Sequence, residues 1–277
     1  MIAIDLDGTL LSPSSQVTPR TRAAIHGALR AGFLVCFATG RNFTESQTVL
    51  DAVAHYDSAV FVGGAMVIDT RQRITLHRTA MDPSLARELS QFFESHGQAV
   101  LALQDTGHVG VDYLISKGVE LHASTRKWIK ETHATIHFAD DLPNHAHDHT
   151  IRIGIVTPLK QAEPILAELQ RRFGPRITSH RFDSLLNDVC VVEAFDPSVN
   201  KWEGILHVAR RHKIDPSEII AIGDEINDVT MVANAGLGVA MGNSHPDLLK
   251  HAKKVIGHNR DDGLAEFLEE LIATNPV

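Results

Sequence analysis

Two aspartates one residue apart, Asp5 and Asp7, follow the apolar run MIAI directly and precede Gly8-Thr9. So short and continuous an apolar run reads as a buried strand, with the pair standing where it ends and the chain turns. Two carboxylates there are unfavourable unless a cation or a substrate compensates them. Three other segments end in complementary groups. LVCFA delivers Thr39-Gly40-Arg41: a hydroxyl, a flexible backbone donor and a guanidinium. Asn200-Lys201 places an ammonium at the start of a predicted helix, where free N–H groups and the helix dipole already favour an anion. IIAIG is followed by Asp224, Glu225, Asn227 and Asp228. Clustered carboxylates suit a hard, oxygen-ligated cation such as Mg2+, and Thr39 and Lys201 suit phosphoryl oxygens beside it. Phosphoryl transfer needs this combination, because it depends on charge compensation and in-line positioning.

The elements that must hold these groups alternate. Residues 1–80 read as strand MIAI, a helix from Thr18-Pro19 to about Ala31, strand LVCFA, a helix over 44–54 and strand AVFV closing on Gly63-Gly64. AMVID and ITLHR then form a small hairpin. Residues 194–277 resume the rhythm, with a helix from Asn200 to His212, strand IIAIG, a helix from Asn227, strand LGVAM, strand KKVIG and a final helix from Asp261. Continuous apolar strands separated by amphipathic helices give an α/β fold with a mainly parallel sheet covered on both faces.

The middle, residues 82–192, differs. Helical stretches near 84–95, 117–131 and 160–173 alternate with strand candidates QAVLALQD, VGVDYLI, TIRIGIV and ITSHRF, joined more by polar turns than by crossovers. It reads as an α+β unit inserted into the parent domain, so that 1–81 and 193–277 form one domain and 82–192 the other. Met81-Asp82-Pro83 and Phe195-Asp196-Pro197 are the candidate hinges.

Composition bounds the function. With 277 residues, 43% apolar and 22% charged, the chain has the make-up of a globular protein able to bury a sizeable core. A formal charge of −8 argues against a long nucleic-acid partner, though not against a small phosphorylated substrate met by a bound cation. Cys36 and Cys190 lie in apolar runs and read as buried thiols. The opening MIAIDLDGTLL has no basic segment ahead of a long apolar stretch, and no run reaches the ~18 residues that span a bilayer. The expectation is a cytoplasmic protein, monomer or homodimer, without a membrane or nucleic-acid partner. Among 17 histidines, His145, His147 and His149 alternate in NHAHDHT, which reads as a solvated loop or the lead-in to a strand.

DLDGT at 5–9, ATG at 38–40, Lys201 and GDEINDVTM at 223–231 resemble, in order, the four motifs of the haloacid dehalogenase-like (HAD) hydrolases. The insertion between the second and third motifs resembles the Cof-type subfamily with a C2 cap. That resemblance implies a Rossmann-like core and a Mg2+-dependent phosphatase. Asp5 would be the nucleophile and a metal ligand. Asp7 would serve as general acid and base, kept competent to exchange protons by like-charged neighbours, and would offer its backbone carbonyl to the metal. Thr39, Gly40 and Asn227 would hold phosphoryl oxygens, Lys201 would neutralise them, and Asp224 and Asp228 would complete metal binding.

Asp7 favours phosphate esters over the dehalogenases, which usually lack that acid. The implied substrate is a small phosphorylated metabolite such as a sugar or polyol phosphate. A phosphomutase or other phosphotransferase, and a non-catalytic phosphometabolite-binding module, are the alternatives. Trp202 and Gly63-Gly64 depart from the commoner residues, and Trp202 reads as helix packing. Asp112, Tyr113, His180 and Arg181 are cap candidates for selectivity, with core or surface roles the simpler reading.

Overall fold

The computed structural model describes residues 1–184 and 187–274. The chain divides into two compact units, Met1–His77 with Asn200–Val277, and Arg78–Val199.

In chain order the elements begin with β1 (Ile2–Ile4), α1 (Pro19–Arg30), β2 (Val35–Phe37), α2 (Phe43–Val53), β3 (Ser58–Phe61), β4 (Met66–Asp69) and β5 (Ile74–Arg78). The inserted stretch contributes α3 (Pro83–Ser95), β6 (Val100–Gln104), α4 (Thr106–Val109), β7 (Tyr113–Ser116), α5 (Ala123–Glu131), β8 (Ile136–Ala139), β9 (Thr150–Pro158), α6 (Leu159–Phe173), β10 (Thr178–Ser184) and β11 (Val189–Phe195). The chain returns through α7 (Lys201–His212), β12 (Ile220–Gly223), α8 (Val229–Asn234), β13 (Leu237–Ala240), α9 (Pro246–Leu249), β14 (Lys254–Val255) and α10 (Gly263–Thr274).

In the first unit a parallel sheet runs β14-β13-β12-β1-β2. The bridge Ala38–Val60 adds β3 in parallel beside β2, and β3-β4-β5 form a further three-stranded sheet. Strands β1, β2 and β3 are buried along their whole length, as crossover helices on both faces require. Ala3, Cys36, Val60 and Ala221 pack with Trp202, Ile205 and Val208 of α7. Trp202 is therefore a packing residue, 8% exposed. Helix α1 opens with Thr18 capping the Thr21 N–H and Pro19 in the first turn.

In the second unit six strands run β10-β11-β9-β6-β7-β8. Helices α3 and α6 cover one face, where Leu89, Phe93 and Phe173 meet Ala102, Ile153 and Val192. Pairing is antiparallel except between β7 and β8, which α5 joins as a parallel crossover. Two sequence expectations need correction here. The helix expected over 117–131 starts only at Ala123, because Gly118 adopts φ +84° and turns the chain out of helical geometry. Strand β8 was not among the candidates, because it is an edge strand whose sequence IHFA leaves His137 and Phe138 exposed.

The NHAHDHT histidines do not share a solvated face. His147 is 2% exposed, its ring bonded to Thr150 Oγ1 and to the Leu142 carbonyl, each at 3.0 Å. Burial holds its pKa below the ordinary value. Both cysteines are buried and free. Burial pushes each thiol up to about 12, which makes them poor nucleophiles at neutral pH.

His77 of β5 and His207 of α7 stack with ring centroids 3.5 Å apart. Burial lowers the pKa of both; the His207 charge and Arg210 lower His77 further, and Arg210 lowers His207 against an opposing pull from Glu203. The unfolded chain therefore takes up protons that the folded pair refuses. Their contribution is fully present above the unfolded value of 6.5 and is lost as pH falls through the lowered folded values. Stability to urea should drop from about pH 6.5 to 5, and His207→Leu should flatten that slope. Identical slopes in the two proteins would show that the stack is pH-silent.

Candidate active site

Strand β1 hands the chain to a wide turn in which Leu10 N–H donates to Asp5 O at 3.2 Å and Leu11 N–H to Leu6 O at 2.8 Å. Gly8 lies inside this turn at φ +81°, and a Cβ there would stand 2.0 Å from Asp224 Oδ2. Only glycine allows both the backbone angle and the approach of the Asp224 carboxylate. Thr9 Oγ1 donates to Asp224 Oδ1 at 3.1 Å. Asn243 Nδ2 donates to Gly8 O at 2.9 Å and to Asp224 Oδ2 at 3.2 Å, while its Oδ1 accepts the Asn259 N–H at 3.0 Å. The end of β1 and the end of β12 are thus tied together from three sides.

Lys201 is the first residue of α7, 1% exposed, and its Nζ donates to Asp5 Oδ1 and Asp228 Oδ1, each at 2.6 Å. It reaches this point because Gly64, at φ +110°, admits the Asn200 carbonyl where a Cβ would collide at 1.9 Å. Asp228 Oδ2 accepts the Asp224 and Glu225 N–H groups at 3.1 Å each, which folds the GDEIND loop around it.

The carboxylates of Asp5, Asp224 and Asp228 lie within 4.8 Å of one another. Burial, first, and the neighbouring Asp228 and Asp224 charges push Asp5 well above the usual carboxylate range, with Lys201 opposing them. Burial and the Asp228 charge raise Asp224 to about 7. Burial alone would weaken the Lys201 ammonium, but Asp228 and Asp5 more than offset it and hold its pKa above the ordinary lysine value. Three carboxylates facing one ammonium leave an excess of negative charge, and all the surplus donors are hard oxygens. This donor set fits Mg2+.

Asp7 has a partner that the sequence expectation did not name. Its carboxylate forms a bidentate pair with Arg41, Nε to Oδ2 at 2.7 Å and Nη2 to Oδ1 at 2.5 Å. The side chain is 54% exposed. A residue just past the strand end projects from the sheet edge, where the guanidinium of the next strand's loop meets it. Thr39 is fully buried and its Oγ1 accepts the Arg41 N–H at 3.1 Å. Gly40 lies beside Asn227, whose Nδ2 would be 3.7 Å from a Cβ at that position.

Sequence reasoning missed Thr9, Asn243 and the Arg41–Asp7 pair. Asn243 lies in the loop after β13, three residues past the strand's end, whereas Asp224 follows β12 directly. The cap candidates have structural partners within their own unit. Asp112 accepts from Thr106 Oγ1 at 2.7 Å and from the Thr135 N–H at 2.8 Å, and Arg152 Nη2 donates to Tyr113 OH at 3.0 Å. Arg181 pairs with Asp183 and Glu163, and His180 packs against Phe195.

The family model described as haloacid dehalogenase-like hydrolase matches residues 2–268. The chain is 25% identical over 271 residues to the HMP-PP phosphatase of Serratia proteamaculans, covering 97% of this chain and 94% of the relative. It is 26% identical over 304 residues to a 5-amino-6-(5-phospho-D-ribitylamino)uracil phosphatase of Bacillus subtilis, with 98% of each covered. Among solved structures, a haloacid dehalogenase-like hydrolase from Bacteroides thetaiotaomicron superposes with a TM-score of 0.80 at 20% identity, over 98% of both chains. Among the described residues no helix is long and apolar enough to cross a membrane.

Proposed function

The chain belongs to the haloacid dehalogenase-like hydrolases, and from that premise we propose that it is a Mg2+-dependent phosphatase of small phosphorylated metabolites, sugar or polyol phosphates foremost, working through an aspartyl-phosphate on Asp5. The observation that carries this reading is the buried Asp5–Lys201–Asp228 bridge beside Asp224. Asp5, Asp224 and Asp228, with the backbone carbonyl of Asp7, would hold Mg2+, which would supply charge neutralisation at the phosphoryl oxygens.

Asp5 attacks phosphorus; an O–P bond forms and the ester O–P bond breaks. Asp7 gives its proton to the departing alkoxide, then takes one from the water that attacks the aspartyl-phosphate, releasing phosphate and restoring Asp5. For this work Asp7 must exchange the Arg41 pair seen here for the substrate oxygen. Thr39, Gly40 and Asn227 orient the phosphoryl group, and Lys201 offsets its repulsion from Asp5. We assign choice of leaving group to the inserted segment, residues 82–192.

The test is Mg2+-dependent phosphate release across sugar phosphates, polyol phosphates, nucleotides and pyridoxal phosphate. Turnover is expected on several of them, highest with sugar or polyol esters. A folded protein that turns over none with Mg2+ present would count against the reading, and transfer of phosphate between sugar hydroxyls without release would favour a mutase. Asp7→Asn should lower kcat by about 10²–10⁴-fold, the range of general acid–base catalysis, with little change in thermal stability because the side chain is largely exposed. Full activity in that variant would sink the assignment of Asp7.

A further inference from the structure

A second cluster of potential ligands lies on the inserted unit. Asp105 follows β6, His108 stands three residues on within α4, and His149 immediately precedes β9. The Asp105 N–H donates to His149 O at 2.9 Å, so backbone pairing fixes the two segments against each other. One ligand atom from each side chain falls within 4.8 Å of the others. Asp105 is completely buried, and the two imidazoles stack with centroids 5.4 Å apart.

We propose that Asp105, His108 and His149 form a second metal site, taking a divalent transition metal of the zinc class. Two imidazoles and one carboxylate are the donor set that such ions select, unlike the all-carboxylate set of Asp5, Asp224 and Asp228. Three protein ligands leave a fourth position for water.

A tethered cation holds this position. Arg78 Nη1 contacts Asp105 Oδ2 at 3.0 Å and His149 Nδ1 at 2.5 Å. Arginine can only donate, so His149 Nδ1 is the acceptor and aims a lone pair into the cluster. His108 Nδ1 stands 2.6 Å from Asp105 Oδ2 and carries its hydrogen there. On metal binding that hydrogen moves to Nε2, freeing the Nδ1 lone pair, and the Arg78 guanidinium, already 28% exposed, swings into solvent. The metal thus replaces the singly charged guanidinium by a divalent cation beside a buried carboxylate, adding one unit of positive charge there.

Co2+ titration tests this, with excess Mg2+ occupying the carboxylate site. Imidazole ligation in a four-coordinate site gives a far stronger visible band than six oxygen ligands do. The wild-type protein should show one such band per chain, abolished by Zn2+ competition. His108→Ala and His149→Ala should lose the band and the Zn2+-induced rise in Tm while keeping Mg2+-dependent phosphate release. Arg78→Gln, which removes the competing cation, should tighten Zn2+ binding by about tenfold or more; if that variant fails to fold, Arg78→Lys makes the comparison with a less well-matched cation. No imidazole band in the wild type overturns the proposal, as does a band that survives His149→Ala, since the latter marks adventitious binding to other surface histidines. Unchanged Zn2+ affinity after Arg78 replacement overturns the exchange.

Discussion

Asp5→Asn should lower kcat by at least about 10⁴-fold and leave the fold as stable as before, or more so. A nucleophile that forms the covalent intermediate has no substitute among neighbouring groups, and removal of such a residue has losses of this order. The expectation for stability follows from the electrostatics. Burial and the charges of Asp228 and Asp224 already push the Asp5 carboxyl well above its ordinary pKa, so the ionised form is held at a cost. Asparagine keeps the shape and an oxygen for Lys201 Nζ, which stands 2.6 Å from Asp5 Oδ1, and removes one of three crowded charges. Steady-state phosphate release and calorimetry without Mg2+ would be measured on the same preparations. Acid-quenched wild-type enzyme should carry a phosphoryl group on the peptide containing Asp5, and the variant should carry none. Substantial turnover by the variant would remove Asp5 from the nucleophile's role.

Legibility followed the physics of strand ends. Asp5, Thr39 and Asp224 each stand where a short apolar strand stops, and Lys201 where a helix begins, so local patterns in the chain reveal them. Asn243 stands three residues past the end of β13 as an uncharged amide, and a lone asparagine in a loop after a strand is usually read as a turn. The Arg41–Asp7 pair escaped notice for another reason. Two loops 34 residues apart in sequence meet there, and only the register of β1 against β2, Ile4 opposite Phe37, brings them together.

The inserted unit was less readable. Its half-exposed edge strand β8 lacks a buried face, and the true start of α5 depends on one glycine's backbone angle. His147 reads as a loop residue in a polar run; its burial depends on Thr150 and the Leu142 carbonyl closing around it. Tertiary packing decides such cases, and periodicity carries no trace of it.

Lys201→Met should destabilise the protein by about 3–5 kcal/mol near neutral pH, the usual result of removing one partner from a buried ion pair. The methionine fills most of the lysine's volume, so packing loss is a minor part. What remains is Asp5 and Asp228, 4% and 0% exposed, facing each other and Asp224 without an ammonium. Asp228 still accepts the Asp224 and Glu225 N–H groups, so the extra proton goes to Asp5, whose pKa is already raised. Loss of the lysine's opposing charge raises it further. A carboxyl whose folded pKa lies above its unfolded value favours the folded state once pH falls below that folded value. The deficit against wild type should therefore shrink on going from about pH 8 to pH 5, and Mg2+ should also reduce it by mass action. Urea denaturation at both pH values, with Asp5→Asn added in a double variant, separates the causes. The double variant should regain most of the lost stability and still release no phosphate. An equal deficit at both pH values, or no rescue by Asp5→Asn, would mean that Lys201 stabilises the core by packing and leaves the carboxylates to be balanced by other groups.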